Sequence, residues 1–156
     1  MFDVLVVADD VLKCAKRIGL RLSPLQLMKL VYIIHGWHLA LTGQPLIKQR
    51  IEAWKYGPVI PVLYHSTKVF GRDPIPSDRV ADTSPRIPEV SSLVDSVVKQ
   101  YGNFSGIALS NLTHQKGTPW SSVYRDGAQN IEIPNDLIRS HYEKLLNERR
   151  SAAATS

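Results

Sequence analysis

The chain has 156 residues, 44% hydrophobic and 21% charged. That composition excludes disorder over most of the length and suits one domain that buries about two-thirds of its unfolded surface. A single cysteine, Cys14, excludes an internal disulfide, and no apolar stretch reaches the roughly 18 residues of a membrane span. The net charge of +5 permits an acidic partner or non-specific contact with nucleic acid and establishes neither. The basic residues are scattered in small groups (Lys13, Lys16, Arg17 and Arg21; Lys48, Arg50 and Lys55; Arg149 and Arg150), the pattern of a mildly basic solvated surface. The opening Met-Phe-Asp lacks a basic n-region, and Asp9 and Asp10 break the apolar run from Val4 to Ala8, so a cytoplasmic protein is expected.

The first helix is predicted from Val4 to about Ile18, with Val4, Val7, Ala8, Val11, Leu12, Ala15 and Ile18 on one face. Asp3 can cap it and Gly19 can end it. Cys14 lies among these apolar residues and reads as a buried, inert thiol. Ser23-Pro24-Leu25-Gln26 is a capping box with proline at the first helical position, and Leu22 and Leu27 are placed as a hydrophobic staple. The helix it starts presents Leu27, Leu30, Val31, Ile34, His38 and Leu41 on one face and stops at Gly43. Lys48 to Tyr56 alternates loosely, as a short strand or extended loop.

Gly57-Pro58 is expected to start a third helix, which carries Ile60, Leu63, Tyr64 and Phe70 and closes at Gly71. Residues 72 to 88 hold Pro74, Pro76, Pro85 and Pro88, a spacing that predicts a long loop. A fourth helix follows with Val90, Leu93, Val94, Val97, Val98 and Tyr101 in phase. Ser105 caps a short helix to about Thr113, and Thr118-Pro119 starts a brief turn through Trp120 and Tyr124. Ile131-Glu132-Ile133 is a short extended candidate. The last helix runs from about Pro134 to Leu146 with Leu137, Ile138, His141, Leu145 and Leu146 inward, and residues 149–156 form a small, polar, flexible tail. The fold class is therefore mainly α: a compact single-domain bundle of about five to six helices with at most a short two-stranded element, spanning residues 1–148.

Phosphate loops, dinucleotide fingerprints and zinc-protease or CxxC motifs are all missing from the sequence, so no catalytic residue, cofactor or metal site is expected and the protein is read as no enzyme. His35 and His38 stand at i, i+3, a spacing that two metal ligands can use, but His65, His114 and His141 fall on separate elements. Thr113-His114 followed by Pro119-Trp120 fits a helix end with an anchoring tryptophan better than a base with an aromatic wall. Glu52 and Trp54 point to one side if the segment is extended. A buried Glu52 must be paired, and free N–H groups at the start of the third helix are the expected partners.

The order of Leu30-Val31-Tyr32 with Trp37-His38, then Gly43-Gln44-Pro45-Leu46, then Glu52-Ala53-Trp54 with Gly57-Pro58-Val59 and Tyr64 resembles the Panacea domain, also called the SocA-like antitoxin domain. The resemblance is strongest from Leu25 to Phe70 and weaker from Ser105 to Tyr142. It implies a mostly helical, protein-binding domain of a family that includes phage-borne and prophage-borne proteins. The implied role is an antitoxin that neutralises a cognate toxin by direct contact. Two alternatives stand beside it: a phage or mobile-element effector or adaptor that binds a host protein (a defence component or a protease), and, on charge alone, a nucleic-acid binder. The motif residues Trp37, Glu52, Trp54, Tyr56, Gly57, Pro58 and Tyr64 serve the fold or contact the partner, and Arg72 and Arg79 of the proline-rich segment are further partner-binding candidates.

Overall fold

The computed structural model describes residues 1–76 and 86–155. Among these are seven α-helices and one two-stranded antiparallel sheet, the mainly α architecture the sequence implies. Helix α1 (Val4–Arg17) starts where the Asp3 carboxylate accepts the Leu5 N–H at 2.8 Å, and Gly19, at φ 80°, turns the chain away after it. Its buried stripe is Val4, Val7, Ala8, Val11, Cys14 and Ala15, joined by Asp10. Burial, with the Asp95 carboxylate alongside, pushes the Cys14 thiol up to about 11, which leaves it a packed apolar group.

Helix α2 (Pro24–Thr42) begins with the expected capping box: Ser23 Oγ accepts the Gln26 N–H at 3.2 Å and Gln26 Oε1 accepts the Ser23 N–H at 2.9 Å. Its environment differs from expectation. Every residue from Leu27 to Trp37 is buried, so for about three turns the helix has no solvent face. It is wrapped by α1, α3 (Pro61–Thr67), α4 (Ser91–Tyr101), α5 (Gly106–His114) and α7 (Asn135–Thr155). A face-by-face pattern fails for such a helix because all its sides are core. Past Trp37 the enclosure opens: His38 is half-buried and Leu41 is exposed, contrary to their expected inward placement.

Helix α6 is the expected brief turn, Pro119–Val123, capped by Thr118. Two further boundaries differ. Gly57-Pro58 begins a strand rather than a helix, and α3 starts at Pro61 because residues 57 to 59 pair with the preceding segment. Helix α7 continues well past Leu146 to Thr155, through a Glu-, Arg- and Ala-rich sequence of good helix formers. On α7, Ile138 and Tyr142 are the buried residues, while Leu137 is exposed.

Asp10, 2% exposed, is a buried charge that needs a partner. Arg86 supplies it with a bidentate grip, Nε to Oδ1 at 2.9 Å and Nη2 to Oδ2 at 3.1 Å, and its Nη1 reaches Asp95 of α4 at 2.8 Å. The Ile87 N–H also donates to Asp10. This pins the chain entering α4 onto α1.

His35 organises the other side of α2. Its Nδ1 accepts the N–H groups of Leu46 and Ile47 at 3.3 and 3.4 Å, which fixes the proton on Nε2, and Nε2 donates to Asn135 Oδ1 at 2.9 Å. One imidazole thus joins α2, the turn after it and the first residue of α7. Burial holds its pKa down at about 4. The neutral ring is required by the fold, whereas the unfolded chain takes up a proton near pH 6.5. The contribution is present in full above about pH 6.5 and is lost as pH falls from there toward 4, about 3 kcal/mol in all. Acid unfolding followed by circular dichroism should show this loss, and the His35→Gln variant should lack it.

Gly36 of α2 lies directly against Tyr142 of α7. A methyl group added there would overlap the Tyr142 ring, which also meets Trp37 edge-on at 5.2 Å. Gly36→Ala should therefore lower stability by about 1–3 kcal/mol in urea unfolding, although alanine is the better helix former. Gly36→Ala combined with Tyr142→Leu should recover part of the loss.

Candidate partner-binding surface

Strand β1 (Glu52–Trp54) pairs with β2 (Gly57–Val59) in the register Glu52 with Val59, Ala53 with Pro58 and Trp54 with Gly57. The turn residues Lys55 and Tyr56 keep negative φ, and Gly57, at φ 123°, takes the conformation the tight reversal demands. On its other edge β1 meets the extended residues Ile131 to Ile133: Ala53 N–H donates to Ile131 O and Ile133 N–H to Ile51 O, both at 2.8 Å. Since Ala53 turns its N–H that way, its register partner Pro58 faces outward from β2. Proline has no N–H to leave unpaired on that free edge.

The outward carbonyl of Pro58 is met by Lys29. Its amine, 1% exposed in the middle of α2, donates to Pro58 O at 2.8 Å. This contact also explains Gly57, because a Cβ there would lie 2.7 Å from Lys29 Nζ. Helix α5 also holds the turn, through the Ser110 hydroxyl, which donates to Tyr56 O. Trp120 of α6 completes the clamp, its Nε1 donating to Trp54 O at 2.6 Å. Lys29 and Ser110 were missed in the sequence, whereas Trp120 is the anchoring tryptophan expected there. A lysine inside Leu27-Met28-Lys29-Leu30-Val31 was the available signal, since a charge amid an all-apolar helical stretch must find a partner.

The predicted site residues sort by position. Glu52, Trp54, Tyr56, Gly57, Pro58 and Tyr64 come together around this hairpin. Glu52 is buried, and its partners are not the N–H groups of a following helix, because that helix begins later. Trp54 Nε1 donates to its Oε1 and Arg50 Nε to its Oε2, each at 3.0 Å. Trp54 is half-buried and meets Tyr64 edge-on at 5.0 Å, and Tyr64 in turn meets His65. Tyr56 is 68% exposed, with Lys55 over its ring at 5.5 Å. Trp37 lies elsewhere, buried between α2 and α7 with the Arg149 guanidinium 4.3 Å from its ring centre. Arg72 is exposed beyond α3, and Arg79 lies outside the described residues.

The Thr-His…Trp segment is bound up in the scaffold. Thr113 Oγ1 donates to the Leu109 carbonyl at 2.9 Å, His114 Nδ1 bonds the Ser110 carbonyl, and the His114 ring stands edge-on to Trp120 at 5.2 Å. Trp120 stacks on Tyr124 at 4.5 Å. Between Trp54, Lys55, Tyr124 and the loop Gly127 to Asn130 lies an open cavity of about 460 Å³. Both ring nitrogens of His35 are already committed, and among the described residues no three metal-ligating side chains converge. No described helix is long and apolar enough to cross a membrane.

The hairpin, its lysine anchor and its α5–α6 clamp all fall within residues 27–121, the stretch that matches the family model for the antitoxin SocA-like, Panacea domain. The chain belongs to this Panacea domain family. It is also similar to Antitoxin SocA of Caulobacter vibrioides (strain NA1000 / CB15N), 29% identical over 141 residues that cover 84% of this chain and 75% of that protein. No solved structure matches. The Panacea match thus runs from the all-buried part of α2, through the hairpin, into α6.

Burial holds the Lys29 pKa down at about 7, far below the 10.5 of the unfolded chain. Folding therefore becomes more favourable as pH rises above 7, by up to about 1.4 kcal/mol per pH unit, until the unfolded lysine also loses its proton. Buried Tyr32 and Tyr142, whose phenols are pushed up, oppose this only above about pH 10. Melting temperatures between pH 7 and 9 should rise for the native chain, and Lys29→Met should flatten that rise.

Proposed function

We propose that this protein is a cytoplasmic antitoxin that neutralises a cognate toxin by binding it directly, without catalysis of its own. The observation that carries this reading is the state of the aromatic residues around the Panacea hairpin. Tyr56 sits on a hairpin backbone fixed by Lys29, Ser110 and Trp120, and Tyr64 of α3 packs edge-on against Trp54, yet both open their rings to solvent. Rigid aromatic groups lose little conformational freedom when they dock and supply large contact area, which is why they concentrate at binding hot spots. Family membership and the similarity to Antitoxin SocA support the antitoxin role. The partner is a protein, and the mildly basic chain favours one with an acidic surface.

Co-expression with the product of the adjacent gene tests the reading, scored for rescued growth and a complex that survives gel filtration. Rescue with a stable complex is expected. Tyr56→Ala should weaken the complex by tenfold or more while leaving the melting temperature within a few degrees of the native value, because the ring packs against little of the core. Growth arrest that persists, with no complex formed, would defeat the proposal.

A further inference from the structure

An apolar groove lies beside the hairpin, lined by Tyr64, the edge-on neighbour of Trp54. Its floor is the first turn and a half of α2, where Leu25 and Met28 face Tyr64, Thr67 and Lys68 across a cavity of about 200 Å³. Most of its lining is apolar carbon, yet Leu25 is 37% exposed and Tyr64 38%. Helix α5 forms the next bank. The start of α5 rests on Leu25, whose side chain comes within 2.9 Å of where a Cβ on Gly106 would stand. Gln26 Nε2 ties the preceding Phe104 carbonyl to α2 at 2.9 Å. Phe104 and Ile107 then stand 41% and 72% exposed. Ile107 sits one turn before Ser110, the residue bonded to the Tyr56 carbonyl, so the exposed apolar side chains continue from the groove toward the hairpin turn. Exposed apolar side chains gathered beside an apolar groove are unusual unless a partner covers them.

Charge around the strip is one-sided. Lys68 lines the groove, Arg72 follows Gly71 at its end, and Lys55 stands at the hairpin turn; Asp73 is the neighbouring carboxylate. Among the described residues, three exposed cations against one anion complement an acidic segment, and cations placed at the rim of an apolar groove select such a partner and speed its docking.

We propose that this groove is the docking site for a segment of the toxin that carries an apolar anchor residue between acidic residues. The anchor enters the space between Met28 and Tyr64, its neighbours cover Leu25 and Ile107, and its carboxylates meet Lys68 and Arg72. This rests on the antitoxin reading above and adds to it the place and chemistry of contact. The apolar contact supplies affinity. The cations set the direction of the segment and disfavour basic competitors, since like charges brought together are costly.

The test uses the full-length chain and the toxic product of the adjacent gene, with dissociation constants measured by calorimetry. Lys68→Glu reverses a solvent-exposed charge and leaves the core intact. It should weaken the complex at least tenfold and reduce the dependence of affinity on salt. Leu25→Ser should weaken it comparably, while Leu41→Ser and Leu137→Ser, at exposed sites away from the groove, should leave it unchanged. A complex that forms normally with both Lys68→Glu and Leu25→Ser overturns the groove assignment and leaves the antitoxin reading standing. A native chain that forms no complex and gives no rescue overturns both. Self-association of the native chain that Leu25→Ser abolishes, or binding of an RNA oligonucleotide that Lys68→Glu abolishes while the toxin complex is unaffected, would also overturn the proposed occupant.

Discussion

Complete enclosure of the middle of α2 forces two of its ionisable side chains, Lys29 and His35, to act as internal ties. In water, Lys29 and His35 would be satisfied by solvent. Inside the bundle each must find a protein partner, and the partners they find belong to irregular segments that hydrophobic packing alone would leave loosely placed. Lys29 fixes the free edge of the hairpin through the Pro58 carbonyl, and His35 fixes the turn after α2 and the start of α7. The two side chains project in different directions from one helix, so the hairpin and the α7 junction are both referenced to the same rigid axis. Apolar burial drives the collapse, and these polar contacts set where the non-helical pieces come to rest.

Much of this was legible in the sequence where local chemistry decides the outcome. The capping box at Ser23 and Gln26, the left-handed end at Gly43, the cap at Ser105 and the cap-plus-proline start at Thr118-Pro119 each stand where the residues place them. Prediction failed where a distant partner decides. Gly57-Pro58 satisfies the rules for a helix start, but strand pairing with Glu52 to Trp54 and the amine of Lys29 take those residues first. The one-sided face assigned to α2 failed for a related reason: a helix surrounded by others has no polar side from which to read its phase. Glu52 was rightly placed on the same side as Trp54, and its neighbour Arg50 rather than a helix terminus neutralises it.

The candidate surface shows a similar division. The aromatic cluster around the hairpin could be read from the spacing of Trp54, Tyr56 and Tyr64, since they follow one another in the chain. The groove beside it could not, because it is assembled from α2, α3 and the start of α5. Its residues look unremarkable one at a time; a leucine at a helix start or a lysine at a helix end carries no signal alone. Within the Panacea hairpin, Gly57 and Pro58 are explained by a steric limit and a missing donor, and Tyr56 by neither. The scaffold role thus belongs to Gly57 and Pro58, and the proposed contact role to their neighbour Tyr56.

The Arg86–Asp10 grip has a consequence for how such chains can vary. On one side of residues 77–85, the Ile75 N–H is bonded to the Leu22 carbonyl at 2.8 Å; on the other, Arg86 is locked to Asp10 and Asp95. Both anchors lie on the helical body, so the register of α4 is set at Arg86 itself. Doubling the span between two fixed points costs only about 0.6 kcal/mol in chain entropy. A chain that keeps both anchors can therefore differ in the number of residues between them at a small entropic cost.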